Sequence, residues 1–401
     1  MSVFPYSYSW VSGSYKNSVN SLTNAFKIGG VKNAIFAFVI ANGNQVAGDL
    51  DNQLNDILSF ISLGGKLKIS FGGADGTLID EAITDQTQLY NAYVSIFNKT
   101  GCYYIDFDIE GNNVGKWDVD NRRNSVLVQL QKNFPSVRVS YTLASDQNGM
   151  SGDSINILKN AINRGVNIDM VNLMLMDANW QDSAAGSIQG IKSVYSQLQS
   201  LYPSKNSSQL NSMISACFMI GKNDDNSFFS LDNAKTVVDY LNSIGGIGQI
   251  TYWALQRDTI GSSDYNTSSL YNNNDFDFYN TFNKMTSTQP TPQPTPQPTP
   301  QPTSKVNIGD RVLNQTVVQD PKPNWMKVDG VIMGESHVFG YKSVKTDDIG
   351  GLLDKMANDL KGNVVNYNWN GKIAYIKTNY NIKDPVDIKL NKNFTAFIKK
   401  T

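Results

Sequence analysis

Histidine and cysteine are nearly absent from this sequence. Of its 401 residues one is histidine, His337, and two are cysteine, Cys102 and Cys217. A Cys/His zinc site needs three or four such ligands close together, and a Ser-His-Asp triad needs a histidine in the domain that holds its serine. Neither can be assembled in the part of the chain before His337. The two cysteines fall in separate predicted strand regions and are expected to be buried, reduced thiols. Charge is sparse too: 17% of residues are charged, with 34 Lys+Arg against 35 Asp+Glu, a net charge of −1. That balance excludes an electrostatic case for nucleic acid or anionic membrane as the main partner. No apolar run approaches the roughly 18 residues of a membrane span. The start, Met1-Ser2-Val3-Phe4-Pro5, lacks a basic region followed by an apolar stretch, so no signal peptide is visible. Export is therefore expected to involve prior processing or an unconventional route. No cofactor is expected, and hydrolytic chemistry has to rest on carboxylates.

What the sequence does contain is a hydrophobic fraction of 40% and an aromatic fraction of 11%, enough for a sizeable core. Residues 289–302 read QPTPQPTPQPTPQP and hold seven of the 13 prolines. Such a segment forms no packed core and is expected to be an extended polyproline spacer of about 3.1 Å per residue. It separates a first part, 1–285, from a tail, 305–401, with a linker over 286–304. The tail holds 15 Lys+Arg and 10 Asp+Glu, net +5, which leaves the rest at −6.

In the first part, runs rich in β-branched and aromatic residues predict strands near Phe4–Trp10, Asn33–Val39, Leu67–Phe71, Tyr103–Ile109, Val137–Thr142, Met170–Met174, Met213–Phe218 and Gln249–Trp253. Helical patterns lie between them. Leu54, Ile57, Leu58 and Ile61 form one stripe, and Asp85 with Gln88 opens a helix that buries Leu89, Ile96 and Phe97. Eight βα units in this length fit a (β/α)8 barrel better than a doubly wound sheet, with the active site at the C-terminal ends of the strands.

The fourth predicted strand reads Tyr103-Tyr104-Ile105-Asp106-Phe107-Asp108-Ile109-Glu110-Gly111. Alternation places Asp106, Asp108 and Glu110 on one face and Ile105, Phe107 and Ile109 on the other. In a barrel the apolar set meets the helices and the acids point inward. Three carboxylates in a poorly solvated interior cannot all ionise cheaply, so at least one should keep a proton near neutrality, as a general acid must. A solvated acidic edge strand and a divalent metal site are the rival readings of this spacing.

Asp106-x-Asp108-x-Glu110 resembles the DxxDxDxE signature of glycoside hydrolase family 18, the chitinases, in a bacterial-type branch that carries DFDIEG. Ser70-Phe71-Gly72-Gly73 is similar to that family's SxGG motif. Asn172-Leu173-Met174-Leu175-Met176-Asp177 resembles its MxYD element, and Tyr252-Trp253-Ala254 its closing tryptophan strand. The resemblance covers residues 1–285 and has two departures. Tyr103 stands where the signature has its first Asp, which should affect packing more than chemistry. Met176 replaces the tyrosine that hydrogen-bonds the substrate acetamido oxygen, a bond a thioether cannot donate; Asp177 or Asn179 is expected to take over part of that contact.

The resemblance implies hydrolysis of β-1,4 bonds between N-acetylglucosamine units with retention, the substrate's own N-acetyl oxygen attacking the anomeric carbon. Glu110 would act as acid and then base, Asp108 would orient the acetamido N–H, and Asp106 would share a proton with Asp108. Trp253 is expected beneath the reacting sugar, with Trp180 as the best candidate for a neighbouring subsite and Trp10 and Trp117 as weaker ones. Ser70, Gly72 and Gly73 are expected to serve close backbone approach. An endo-β-N-acetylglucosaminidase acting on N-glycans shares the signature, and a non-catalytic chitin-binding relative is the other alternative. The tail reads as a small α+β module with a helix over Ile349–Leu360 and a hairpin over Val364–Ile376 turning at Asn370-Gly371. Val365, Tyr367 and Trp369 share one strand face, read either as core or as an aromatic platform for glycan or surface binding. The protein is expected to be a secreted monomer whose partner is chitin or its oligomers.

Overall fold

The computed structural model describes residues 2–286, apart from 12–14, 44, 48 and 262, together with the strand segments beyond 306 named below. The chain divides into two compact units, Met1–Thr291 and Pro292–Thr401. Eight strands of the first form a parallel ring: β1 (Ser2–Tyr8), β2 (Asn33–Asn42), β3 (Lys66–Gly72), β4 (Tyr104–Ile109), β5 (Arg138–Asp146), β6 (Ile168–Met174), β7 (Ile214–Met219) and β8 (Gln249–Trp253). Neighbours pair in parallel in the order β1-β8-β7-β6-β5-β4-β3-β2, and β1 pairs with β2 to close the ring. Helices follow the strands in turn: α1 (Leu22–Gly29), α2 (Leu54–Ser62), α3 (Gln86–Thr100), α4 (Trp117–Asn133), α5 (Gly152–Arg164), α6 (Ser183–Leu201), α7 (Leu231–Ser243) and α8 (Asp277–Phe282). This is the (β/α)8 barrel that the spacing of apolar runs predicts. Among the described residues no helix is long and apolar enough to cross a membrane.

Alternation along β4 does what its composition requires. Ile105, Phe107 and Ile109 are fully buried toward the helices, where Phe107 stacks on Phe71 at 5.6 Å and meets Tyr93 edge-on at 6.0 Å. Asp106 and Asp108 turn into the barrel. Glu110 lies one residue past the strand, but its backbone stays extended (φ −141°, ψ 169°), so it continues the inward face. Tyr103 also falls outside the strand, and its ring packs on Phe97 and Phe134 at 5.2 and 6.0 Å.

Two local expectations need correction. In α2 the buried residues are Ile57 and Phe60, whereas Leu58 is exposed; Phe60 fits because Gly65 leaves its ring space that a Cβ would enter at 2.6 Å. The first strand ends at Tyr8, so Trp10 belongs to the loop above it. Asp85 does cap α3, accepting the Gln88 N–H at 2.8 Å, and Leu89, Ile96 and Phe97 are buried as read.

The barrel interior is polar rather than filled by Val, Ile and Leu. Phe4, Lys68, Tyr104 and Gln249 lie at its foot; Ser70, Asp106, Ser140, Asn172 and Thr251 occupy the middle, all fully buried. In the second unit the described residues form a two-stranded pair, Asn307–Ile308 with Arg311–Val312, and a six-stranded antiparallel sheet in the order Val317–Val318, Trp325–Met333, Ile388–Lys399, Gly362–Asn368, Ile373–Thr378, Gly340–Lys345. The hairpin predicted there is the pair Gly362–Asn368 and Ile373–Thr378. The helix over 349–360, the proline-rich segment, Trp369 and His337 lie outside the described residues.

Candidate active site

The C-terminal strand ends open on a cleft of about 960 Å³ whose lining includes Tyr6, Trp10, Asp108, Glu110, Met176 and Trp253. The deepest acid, Asp106, is held by hydroxyls from three strands. Ser70 Oγ donates to it at 2.8 Å, Thr142 Oγ1 at 2.9 Å, and Ser140 Oγ also donates, with Tyr6 Oη at 3.2 Å. A carboxylate that only accepts matches this set of donors. Asn172 ties the ring together: its Nδ2 donates to Tyr6 Oη and Thr142 Oγ1 at 3.1 and 3.0 Å, and its Oδ1 accepts from Thr251 Oγ1 at 2.8 Å.

Asp108 contrasts with it. The residue is 4% exposed and its Oδ1 has no hydrogen-bond partner. The proton expected between Asp106 and Asp108 is therefore not expressed as a hydrogen bond here; hydroxyls satisfy Asp106, and Asp108 is left free toward the cleft. Burial, then the charges of Glu110 and Asp106, pushes the Asp108 carboxyl well above the usual carboxylate range. Burial, followed by Asp177, Asp75 and Asp224, raises Glu110 to about 7. Among the described residues the cleft lining carries no lysine, arginine or histidine to offset these acids.

The cleft has an aromatic wall. Trp253 stacks on Phe38 at 5.6 Å with 14° between planes and meets Tyr8 at 5.0 Å; Trp10 stacks on Tyr8 at 4.7 Å. Met176 packs into this cluster. An aromatic face of this size suits the apolar face of a sugar ring. Gly72 and Gly73 let β3 approach: with φ of 107° and 84°, their Cβ atoms would meet Asp108 O at 2.2 Å and the Phe38 ring at 2.6 Å. Ser70 lies below the cleft as a donor to Asp106.

Of the residues singled out in sequence, Asp108, Glu110, Gly72, Gly73, Met174, Met176, Asp177, Asn179 and Trp253 line the cleft, and Asp106 lies beneath it. The order of the other tryptophans is reversed. Trp180 does not line the cleft; its ring lies over Gly186 of α6, where a Cβ would come within 2.4 Å, beside a separate depression with Phe228. Trp117, at the start of α4, is absent from the lining, whereas Trp10 is part of it. Asp177 Oδ1 accepts the amides of Asp224 and Asp225 at 2.7 and 3.4 Å, so this oxygen holds a loop. Sequence reasoning missed Tyr6, Phe38, Asp75 and Asp224. Tyr6 had a signal, the alternation of Phe4, Tyr6 and Tyr8 on β1; the two acids come from loops whose sequences carry none.

A carboxylic acid raised toward neutrality beside an aromatic wall is a combination with which a barrel can break glycosidic bonds. No family model matches the sequence. A probable bifunctional chitinase/lysozyme of Escherichia coli (strain K12) is 26% identical over 228 residues, 53% of this chain and 25% of that protein. Endochitinase 11 of Metarhizium anisopliae is 26% identical over 264 residues, 60% of this chain and 50% of that protein. The chain thus spans half or less of the length of these curated relatives. The catalytic domain of a hyperthermophilic chitinase from Pyrococcus furiosus superposes with a TM-score of 0.64 at 28% identity, covering 71% of this chain and 94% of that one. In sequence and in fold the chain is thus similar to chitinases.

Proposed function

We propose that the barrel hydrolyses β-1,4 bonds between N-acetylglucosamine units of chitin with retention, using the substrate's acetamido oxygen as nucleophile. The observation that carries this reading is the pair formed by Glu110, which holds a proton to about pH 7, and Asp108, buried with an unpartnered oxygen at the cleft. Glu110 protonates the leaving oxygen and afterwards activates water. Asp108 accepts the acetamido N–H and stabilises the positive charge that develops on the ring it closes. Trp253 supports the reacting sugar, and Met176 offers it an apolar contact. The names of the relatives support the substrate class. Release of products from chitin oligomers, but not from high-mannose glycoprotein, tests the reading; the reverse result would make the enzyme an endo-β-N-acetylglucosaminidase.

The acid step has a definite pH signature. Glu110 is raised, so its protonated form is complete well below pH 7 and falls about tenfold per unit above it. Turnover of soluble oligomers is expected to decline on the alkaline side with a midpoint near 7, and a flat profile to pH 9 would contradict the assignment.

We extend the proposal to a monomeric, extracellular enzyme, since an insoluble polymer must be met outside the cell, with the C-terminal unit as an accessory glycan- or surface-binding module. Packing supports the division: the barrel core runs to Met285, and Thr286 N donates to Asn242 Oδ1 at 2.6 Å. A chain ending at Thr286 should fold and keep its turnover of soluble oligomers, any loss appearing on insoluble chitin only. Equal chitin pull-down by the full and shortened chains would remove the binding role.

A further inference from the structure

At the foot of the barrel, beneath the acids, sits a lysine for which the chemistry above has no use. Lys68 is fully buried on β3, two residues before Ser70, in the register where Ser70 pairs with Asp106. Its Nζ donates to Gln249 Oε1 at 2.7 Å and otherwise lies over aromatic faces, 4.2 Å from the Tyr104 ring centroid and 5.2 Å from that of Phe4. One neutral acceptor and two rings are thin compensation for a buried ammonium, and an apolar side chain would fill the same volume without that cost.

The charges around it show what the ammonium faces. Asp169 on β6 is taken by Arg138 on β5, Nη2 to Oδ1 at 2.7 Å with the Nε also donating, and it accepts Tyr104 Oη at 2.6 Å. From β7 comes only the neutral, buried thiol of Cys217, and from β4 the Tyr104 phenol and Asp106. Among the described residues Asp106 has no ion-pair partner, only hydroxyls. We propose that Lys68 is a positioning residue of the acid ladder: it is the counter-charge beneath Asp106 that holds the proton of the site above, on Asp108 and Glu110. This rests on the glycosidase reading and adds a residue to it. Burial lowers the Lys68 ammonium to about 8, Asp106 partly opposing the shift, so the lysine remains cationic at neutral pH.

The test compares the wild type with Lys68→Met and Lys68→Arg, and with Lys68→Met/Gln249→Leu, which removes the amide left without its donor. In the Met variants the acid limb of the kcat/KM profile on chitin oligomers should move up by about one pH unit, the lower part of the range for loss of a nearby opposite charge. At a pH on that limb kcat should fall about tenfold with KM little changed, and Lys68→Arg should restore the wild-type profile. The Asp108 carboxyl carbon, followed by NMR, should titrate at lower pH than in the wild type, since a proton drawn down the ladder leaves it. A lowered melting temperature with an unchanged profile and an unchanged Asp108 titration would make Lys68 a plug of the barrel floor and overturn the proposal. Should the wild type cleave no oligomer, the chitinase reading fails, while the NMR titration still decides what Lys68 does to the acids.

Discussion

Glu110→Gln should still bind N-acetylglucosamine oligomers and lose nearly all turnover. Glutamine keeps the size of the side chain and its extended position beyond β4, but it has no proton to give the leaving oxygen and cannot take one from water. Loss of general acid catalysis alone costs about 10²- to 10⁴-fold; here one residue serves both steps, so the upper end is expected. Hydrolysis of a labelled oligomer gives the rate, and quenching of the Trp253 cluster in the cleft gives the binding. The variant separates a role in chemistry from one in holding the cleft open. Wild-type turnover would remove Glu110 from the reaction, and lost binding with normal kcat would make it a substrate contact.

Asp108→Asn is expected to fall by about 10²- to 10³-fold, the scale seen when a preorganised group facing developing charge is removed. The buried Oδ1 of Asp108 has no partner in the protein, so its natural partner is brought by the substrate. An amide in its place still accepts a hydrogen bond but offers no negative charge to the cation that forms. Because the nucleophile is then part of the substrate, oligomers with a bare amine at the reacting position should be cleaved poorly, a thiazoline analogue of the cyclised intermediate should inhibit, and the first product should have the β configuration. Inverted product, or equal cleavage of deacetylated oligomers, would rule out substrate assistance and leave a carboxylate glycosidase of another kind.

Much of the fold was legible because each strand of a (β/α)8 barrel is a short apolar run bounded by helical periodicity, and this pattern survives without knowledge of neighbours. The acids were legible for the same reason, alternation on a single strand. What failed was whatever depends on where loops lead. Trp180 follows Asp177 closely in sequence, yet the left-handed backbone at Asp177 and Asn179 carries the chain away from the cleft and lets its ring settle on Gly186. Trp10 reaches the cleft because β1 stops two residues early and stacks it on Tyr8. Lys68 was readable in principle, since it alternates with Ser70 on β3, but a lysine in a strand is ordinarily read as facing water.

The hydroxyl cage around Asp106 draws on β1, β3 and β5, so the acid reports on the roundness of the barrel as well as on its own strand. A strand that slides or tilts in this ring lengthens a bond to Asp106 before it exposes any apolar surface. Heating should accordingly blunt activity ahead of the cooperative melt, and substitutions that stiffen the ring far from the cleft, at its outer helix contacts, are where gains in working temperature are to be sought.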